Sequence, residues 1–521
     1  MIILIGSKIG QTDIQASLGK PEYSYFFLLR EFLPALRRLG TVIEASDPDE
    51  VDRLYARYRD EGQPVVFLSF SPPQQTPVGL RCPTVCAFAW EFDNLPDEPW
   101  ENDPRNDWRY VFERIAAAVP CSQETADAVR RAMGDGFPVL ALPAPVWSRF
   151  AEVCPPGHWT PCPGPRVLDF HGNAIDSPIL GLSADGLVRK PAPEAEPIPM
   201  PEPPPEPEPE PETPPPAPLS VAEKRHVSRV LLRDWWNEVR GIRPEPPPAP
   251  VPESLPEPEP EPVVALEPVP QPEPAEPPPP PPPYMIPQAH RLELNGVVYT
   301  TVLNPGDGRK NWVDLITAFC WAFKDTEDAT LVVKMTHHDL EYYRIVLLTL
   351  LSRLAPFRCR VLVLHGFLDD AQYRALVEAT DYYVNASACE GLCLPLMEFL
   401  SAGKPALAPR HTAMLDYLDP ALGFVVDTRP EPSCWSHDPT GKLRTRRHRL
   451  NWESLMRAYR ESHRQARENP EAYRAMSAEA FARMRDYCAV ERVAERLGTF
   501  LDDVLARAAD RRDTPAESPL P

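Results

Sequence analysis

Glu390 and Glu398 lie in the segment Asn385-Ala-Ser-Ala-Cys-Glu390-Gly391-Leu-Cys-Leu-Pro395-Leu-Met-Glu398-Phe-Leu-Ser-Ala-Gly403-Lys404-Pro405. The pattern predicts a strand ending at Asn385, a short loop at Gly391 and a helix whose first turn holds Pro395, where proline is favoured. Gly403 ends that helix and Pro405 opens the next strand. The backbone N–H groups of Gly391, Leu392, Cys393 and Leu394 would then lack helical partners at the positive end of a helix dipole, which makes an anion site. Two carboxylates in the same place would repel a bare phosphate. A ligand carrying both phosphate and hydroxyl groups reconciles the two, because carboxylates accept hydrogen bonds from ribose and sugar hydroxyls. A nucleotide-sugar meets both demands.

The same residues resemble the hallmark of the retaining GT-B glycosyltransferases, in particular glycosyltransferase family 4 (glycosyl transferases group 1). That hallmark is Glu, seven residues, Glu, embedded as Glu-Gly-Phe-Gly-Leu-Pro and Glu-Ala-Met-Ala-x-Gly-x-Pro-Val. Here it reads Glu390-Gly391-Leu392-Cys393-Leu394-Pro395 and Glu398-Phe399-Leu400-Ser401-Ala402-Gly403-Lys404-Pro405, with Cys393 where the family usually has Gly. The resemblance implies that Glu390, Glu398 and the loop Gly391 to Leu394 hold the donor, and that Cys393 narrows the space beside its sugar. It extends to Val302-Leu303-Asn304-Pro305-Gly306-Asp307-Gly308-Arg309-Lys310-Asn311-Trp312, a variant of the family's basic loop. Arg309 and Lys310 would there hold the diphosphate and stabilise the charge on its departure. The family's usual Gly-Arg-Leu is replaced by Thr301-Val302-Leu303. Leu364-His365-Gly366-Phe367-Leu368 resembles the segment bordering the nucleobase, which places Gly366 and Phe367 there. The likeness covers about residues 297–427.

In the N-terminal part, Ala87 to Pro96 and Cys121-Ser122-Gln123-Glu124-Thr125 look like the strand-end and Ser-x-x-Thr segments of an acceptor domain. No histidine precedes His158, although many relatives place one where the strand here ends near Trp90. Glu91 is the substitute candidate for orienting an acceptor hydroxyl. Gly6 and Gly10 resemble the loop that approaches the donor diphosphate or the acceptor. Retaining relatives use no metal, and the departing phosphate oxygen is thought to take the acceptor proton, so no metal and no cofactor beyond the donor substrate are expected. Asp47-Pro48-Asp49 matches a metal-binding Asp-x-Asp only superficially; helix capping explains it. Cys389 and Cys393 lack the partners of a zinc site.

The elements that must position these groups read as strands alternating with helices, which argues for parallel sheets covered on both faces. In the first block, Met1 to Ile5, Thr41 to Ala45, Pro64 to Phe70, Thr84 to Phe88 and Val139 to Leu142 read as strands. Helices are expected at about Tyr23 to Leu39, Val51 to Tyr58 and Ser122 to Ala132. The second block opens with Arg291 to Leu294 and Val297 to Thr300 flanking Asn295-Gly296, a hairpin signal. Strands are expected at Thr330 to Lys334, Arg360 to Leu364, Tyr382 to Asn385, Pro405 to Ala408 and Phe424 to Val426. Helices are expected at about Trp312 to Phe323, Asp339 to Leu354, Asp369 to Ala379 and Pro395 to Ala402, with a mostly helical tail from Trp452 to Ala508 that crosses back to brace the first block.

Of 521 residues 71 are proline, and 37 of these lie between Pro191 and Gln288. Such a tract cannot bury enough apolar surface to offset chain entropy. The expected organisation is an α/β GT-B fold, two Rossmann-like domains facing across a cleft and interrupted by a disordered insertion. Its parts are an acceptor domain at 1–165, a Pro/Glu-rich linker at 166–290, a nucleotide-sugar donor domain at 291–450, helices at 451–508 and a disordered tail at 509–521. Within the linker, a capping box at Ser220 and Glu223 and a later Gly241 predict a basic helix at about 220–241. It could dock on the parent domains, a protein partner or a membrane surface. The net charge of −21 disfavours broad nucleic-acid binding, whose affinity comes from cations on phosphates. Eleven scattered cysteines and no signal-like N-terminus suggest a cytoplasmic protein without a transmembrane segment. The expected function is transfer of a sugar from a nucleotide-diphosphate donor to a glycan, polysaccharide or small acceptor. Rivals are a catalytically silent scaffold, with partners held by the Pro-rich tract, and a nucleotide-sugar epimerase.

Overall fold

The computed structural model describes residues 1–6, 21–161, 164–182, 286–337, 339–435, 438 and 441–513. The expected helix at about 220–241 and Gly10 lie outside the described residues. The first lobe is a parallel sheet in the order β2-β1-β3-β4-β5, from β1 (Ile2–Gly6), β2 (Thr41–Glu44), β3 (Val65–Phe70), β4 (Thr84–Phe88) and β5 (Ala117–Pro120). Every residue of β3 and β4 is buried, as central parallel strands require, and so is every residue of the edge strand β5, whose outer side bridges to Val139. Helix α1 (Pro21–Leu39) covers one face with Leu29, Phe32 and Leu36. Helix α2 (Pro48–Asp60) starts where Asp47 accepts the Glu50 amide at 2.7 Å, so Asp47-Pro48-Asp49 is a cap. The short α3 (Trp108–Phe112), α4 (Gln123–Met133, capped by Ser122) and α5 (Trp147–Phe150) complete the lobe. The expected strand at 139–142 reduces to a single bridge between Val139 and Ala118.

The second lobe holds β6 (Arg166–Asp176), β7 (Gln288–Leu294), β8 (Val297–Leu303), β9 (Ala329–Met335), β10 (Arg360–His365), β11 (Tyr382–Val384), β12 (Ala406–Pro409) and β13 (Gly423–Val426). Their order is β13-β12-β11-β8-β9-β10-β6-β7, parallel except for the last two strands. Two expectations are corrected here. The expected linker begins at 166, but residues 166–176 form a strand: Leu168 and Phe170 enter the core on one face, Ile175 the core on the other, and the segment pairs antiparallel with β10. Asn295-Gly296 does not close a hairpin. Strand β7 pairs only with β6 at the sheet edge, whereas β8 lies between β9 and β11. The burial explains this: β8 is almost wholly buried and needs two flanking strands, while β7, exposed at alternate residues, suits an edge.

Helices α6 (Trp312–Ala322), α7 (Leu340–Leu354), α8 (Asp370–Ala379) and α9 (Leu394–Ser401) connect these strands, and α10 (Trp452–Glu468), α11 (Pro470–Cys488) and α12 (Val490–Asp513) follow them. Helix α12 returns to the first lobe. Val493, Leu497, Leu501 and Val504 join the core that holds Leu28 and Leu36, and Arg38 pairs with Glu491 at 2.5 Å. The antiparallel hairpin β14 (Thr428–Cys434) and β15 (Arg444–Leu450), which no sequence signal indicated, lies against both lobes. Its strand β15 donates His448 N–H to Ala388 O at 2.7 Å, and Asn94 donates to Arg444 O at 2.5 Å.

Candidate active site

The loop after β8 carries the basic groups. Asp307 caps a 3-10 turn over Gly308–Lys310, and Asn311 takes a left-handed conformation to start α6. This turn projects Arg309 and Lys310 toward the loop after β11. The Ala388 amide donates to Arg309 O at 2.7 Å and ties the two loops together. Glu390, 3% exposed, lies between both cations: Lys310 Nζ is 2.7 Å from one carboxylate oxygen and Arg309 Nη1 is 2.8 Å from the other. Arg309 also donates to Cys389 O at 2.9 Å, pairs with Asp307 at 2.9 Å and reaches Glu91 of the first lobe at 3.5 Å.

Burial by itself would raise the Glu390 pKa, but Lys310 and Arg309 overcome it and hold the carboxyl well below its usual range. Glu91 moves the other way, because burial outweighs the attraction of Arg309. Burial opposes the Arg309 charge, yet Glu390, Glu91 and Asp307 together keep the guanidinium firmly protonated. The cluster is therefore internally neutralised, with each cation already facing a carboxylate.

Helix α9 begins beside Glu390. Cys393, its N-cap residue, has φ +61°, a conformation that glycine adopts without cost and that a side chain makes unfavourable. The Cys393 sulfur accepts from Asn385 Nδ2 at 3.0 Å and is buried. A small cleft, with room for about one water, opens here, lined by Val302, Lys310, Asn385, Glu390 and Cys393 among others. All of its lining residues belong to the second lobe, and a cleft of this size does not hold a nucleotide-sugar, whose sites usually measure roughly 300–1,000 Å³. Gly391 shows how closely the two lobes meet, since a Cβ placed on it would lie 2.8 Å from the Trp90 backbone nitrogen. Trp90 is itself held by Thr125, whose hydroxyl donates to Trp90 O at 2.9 Å.

The structure thus brings together Glu390, Arg309, Lys310, Glu91, Gly391, Leu392, Cys393 and Leu394. Glu398 is placed elsewhere. Position 398 lies one turn into α9 and faces α8, where Tyr373 Oη donates to it at 2.5 Å, and it does not line the cleft. Burial, with Glu31 adding to it, pushes its pKa up to about 7. Beside it, Arg149 spans the lobes to Glu31 at 2.5 Å and Asp370 at 2.7 Å. Gly366 and Gly6 have packing reasons: a Cβ on Gly366 would meet His171 O of β6 at 3.2 Å, and one on Gly6 would meet the Phe67 ring at 2.9 Å. Phe367 is 40% exposed and does not line the cleft.

Sequence reading missed the support beneath the loop. His411 is buried, stacks on His448 with ring centroids 4.3 Å apart, and its Nε2 lies 3.0 Å from Ser387 O. Burial and the neighbouring His448 push its pKa down to about 3, so it stays neutral. Thr412 accepts the Glu390 amide at 3.0 Å. No local signal marks these residues, because only the fold brings β15 and the segment after β12 to the loop. Among the described residues no three His, Cys, Asp or Glu side chains converge as metal ligands, and no helix is long and apolar enough to cross a membrane.

No family model and no curated protein matches the chain. Among solved structures it is similar to HepE of Anabaena in complex with UDP and glucose, at 10% identity and TM-score 0.48, covering 96% of this chain and 100% of that one. It is also similar to sucrose-phosphate synthase of Thermosynechococcus elongatus, at 12% identity and TM-score 0.45, covering 97% and 99%. A third similarity is to the C-terminal domain of the group 1 glycosyl transferase LpcC of Francisella tularensis, at 14% identity and TM-score 0.28, covering 38% and 88%. At these identities the likeness is one of architecture at most.

Proposed function

We propose that the chain is a retaining, metal-independent glycosyltransferase that moves a hexose or similar sugar from a nucleotide diphosphate to a glycan, polysaccharide or small hydroxyl acceptor. The observation that carries this reading is the buried Glu390 held by Lys310 and Arg309 at the amino end of α9, in the seam between two Rossmann-like lobes. When the lobes part, the two cations exchange Glu390 for the donor's phosphate oxygens, and the helix dipole adds to their field. Glu390, released from the cations, accepts hydrogen bonds from the sugar hydroxyls. Glu91, with its raised pKa, faces the cluster from the first lobe and orients the acceptor hydroxyl, whose proton passes to the departing phosphate oxygen. Purified full-length protein incubated with a panel of UDP-, GDP-, ADP- and dTDP-sugars should release the nucleoside diphosphate from one of them, and Lys310→Ala should abolish the release. Absence of both binding and release across the panel would overturn the reading.

One observation favours a second reading, a silent binding scaffold: Arg309 and Lys310 are already neutralised by carboxylates and the cleft is small. A nucleotide diphosphate that raises the melting temperature without any turnover would favour it. Analysis of the sugar released distinguishes transfer from epimerisation.

A further inference from the structure

Strand β9, Ala-Thr-Leu-Val-Val-Lys334-Met, is buried at every position. Lysine is almost never buried without a counter-charge, yet Lys334 is 6% exposed and its ε-amino group has one protein partner among the described residues, the Thr336 hydroxyl. An ammonium carries three donors. Burial lowers the Lys334 pKa to about 7, and no carboxylate offsets it. The titratable groups around it are His365 on β10, which it repels, and His337 in the loop after β9; Tyr383, two strands away on β11, donates to the carbonyl of its register neighbour Val302 at 3.5 Å, and Tyr373 of α8 packs on the cluster that holds Val332.

The position of Lys334 gives it a use. It is the last residue but one of β9, and open parallel sheets bind ligands at the carboxyl ends of their strands. In the register its neighbour on β8 is Val302, a residue that lines the cleft together with Lys310 and Glu390. Resting on the donor reading above, we infer that Lys334 is a further anion-binding residue of this site, receiving a phosphate oxygen of the donor beside Lys310. Unlike Arg309 and Lys310, it need not give up a carboxylate to do so. It holds no full charge while the site is empty and takes up a proton when the phosphate arrives, which matches cation to anion only in the occupied state.

The test is calorimetric titration of the full chain with inorganic pyrophosphate and with nucleoside diphosphates at about pH 8, repeated in buffers of different ionisation enthalpy to count protons. Wild-type binding should take up close to one proton. Lys334→Met, close in shape and free of a buried charge, should fold and melt no lower than wild type, and should bind about tenfold or more weakly without proton uptake, given the strength of charge-assisted hydrogen bonds. Lys334→Arg should restore binding without the proton, because a guanidinium does not titrate. Binding and proton uptake unchanged in Lys334→Met would overturn the inference and leave the donor reading intact. Failure of every probe to bind the wild type would overturn both.

Discussion

Replacing Glu390 by Gln keeps the side chain's volume and one acceptor while removing the charge that two cations share. The wild-type side chain makes two charge-assisted contacts, at 2.7 Å to Lys310 and 2.8 Å to Arg309, and is almost fully buried. Removing one partner from a buried ion cluster costs about 3–5 kcal/mol. The lower end applies, because Arg309 keeps Asp307 at 2.9 Å and Glu91 at 3.5 Å, whereas Lys310 loses its carboxylate. With roughly 2 °C per kcal/mol for a chain of this size, Glu390→Gln should melt about 6 °C lower at neutral pH. Since the Glu390 pKa is depressed on folding, its contribution is present above the ordinary value of 4.5 and fades as the pH falls below it, so the gap between variant and wild type should narrow in acid. With Lys310 and Arg309 released, pyrophosphate should bind more tightly to the variant while sugar transfer is lost. Calorimetric melting and pyrophosphate titration read both effects. An unchanged melting temperature, or pyrophosphate affinity falling below that of wild type, would refute the view that Glu390 holds these cations in the empty site.

Two further outcomes are expected. Gly391→Ala places a Cβ against the Trp90 backbone, so the lobes cannot meet as they do here; a loss of about 1–3 kcal/mol and faster limited proteolysis should follow, and an unaltered denaturation midpoint would contradict this contact. Glu398 has a folded pKa of about 7 against an ordinary 4.5, so the folded state binds its proton more tightly, and the stability it confers below 4.5 is lost as the pH rises to about 7. Denaturation of Glu398→Gln and wild type at both ends of that window should show the variant gaining up to about 3 kcal/mol relative to wild type on going from acid to neutral pH; parallel curves would show that the carboxyl ionises normally.

The parts of this molecule that sequence made legible are those governed by local periodicity and local caps. The buried strands β3, β9 and β10, the capped helix α4 and the helix α9 between a loop glycine and Gly403 all follow from neighbours in the chain, as does the placing of Glu390 ahead of a helix terminus. Asn295-Gly296 misled because a turn signal specifies a reversal but not which strands pair, and the wholly buried β8 could not remain at an edge. Residues 166–176 give no strand signal because the buried positions change face between Phe170 and Ile175, which breaks the period-2 pattern, and the β14–β15 hairpin gives none because its charged strands hold few apolar residues and depend on docking against other elements.

Sequence by itself determined that two blocks of parallel α/β structure surround a proline-rich tract, and that a carboxylate pair and two cations belong to the second block. Tertiary structure alone decided that Glu390 neutralises Arg309 and Lys310, that Glu91 joins them from the other lobe, that Glu398 turns away toward Tyr373, and that Lys334 is buried without a carboxylate. The physical reason is range. Periodicity and capping act over a few residues of chain, whereas charge pairing and desolvation depend on distance in space, which is set only when strand order and the return of α12 bring remote segments together.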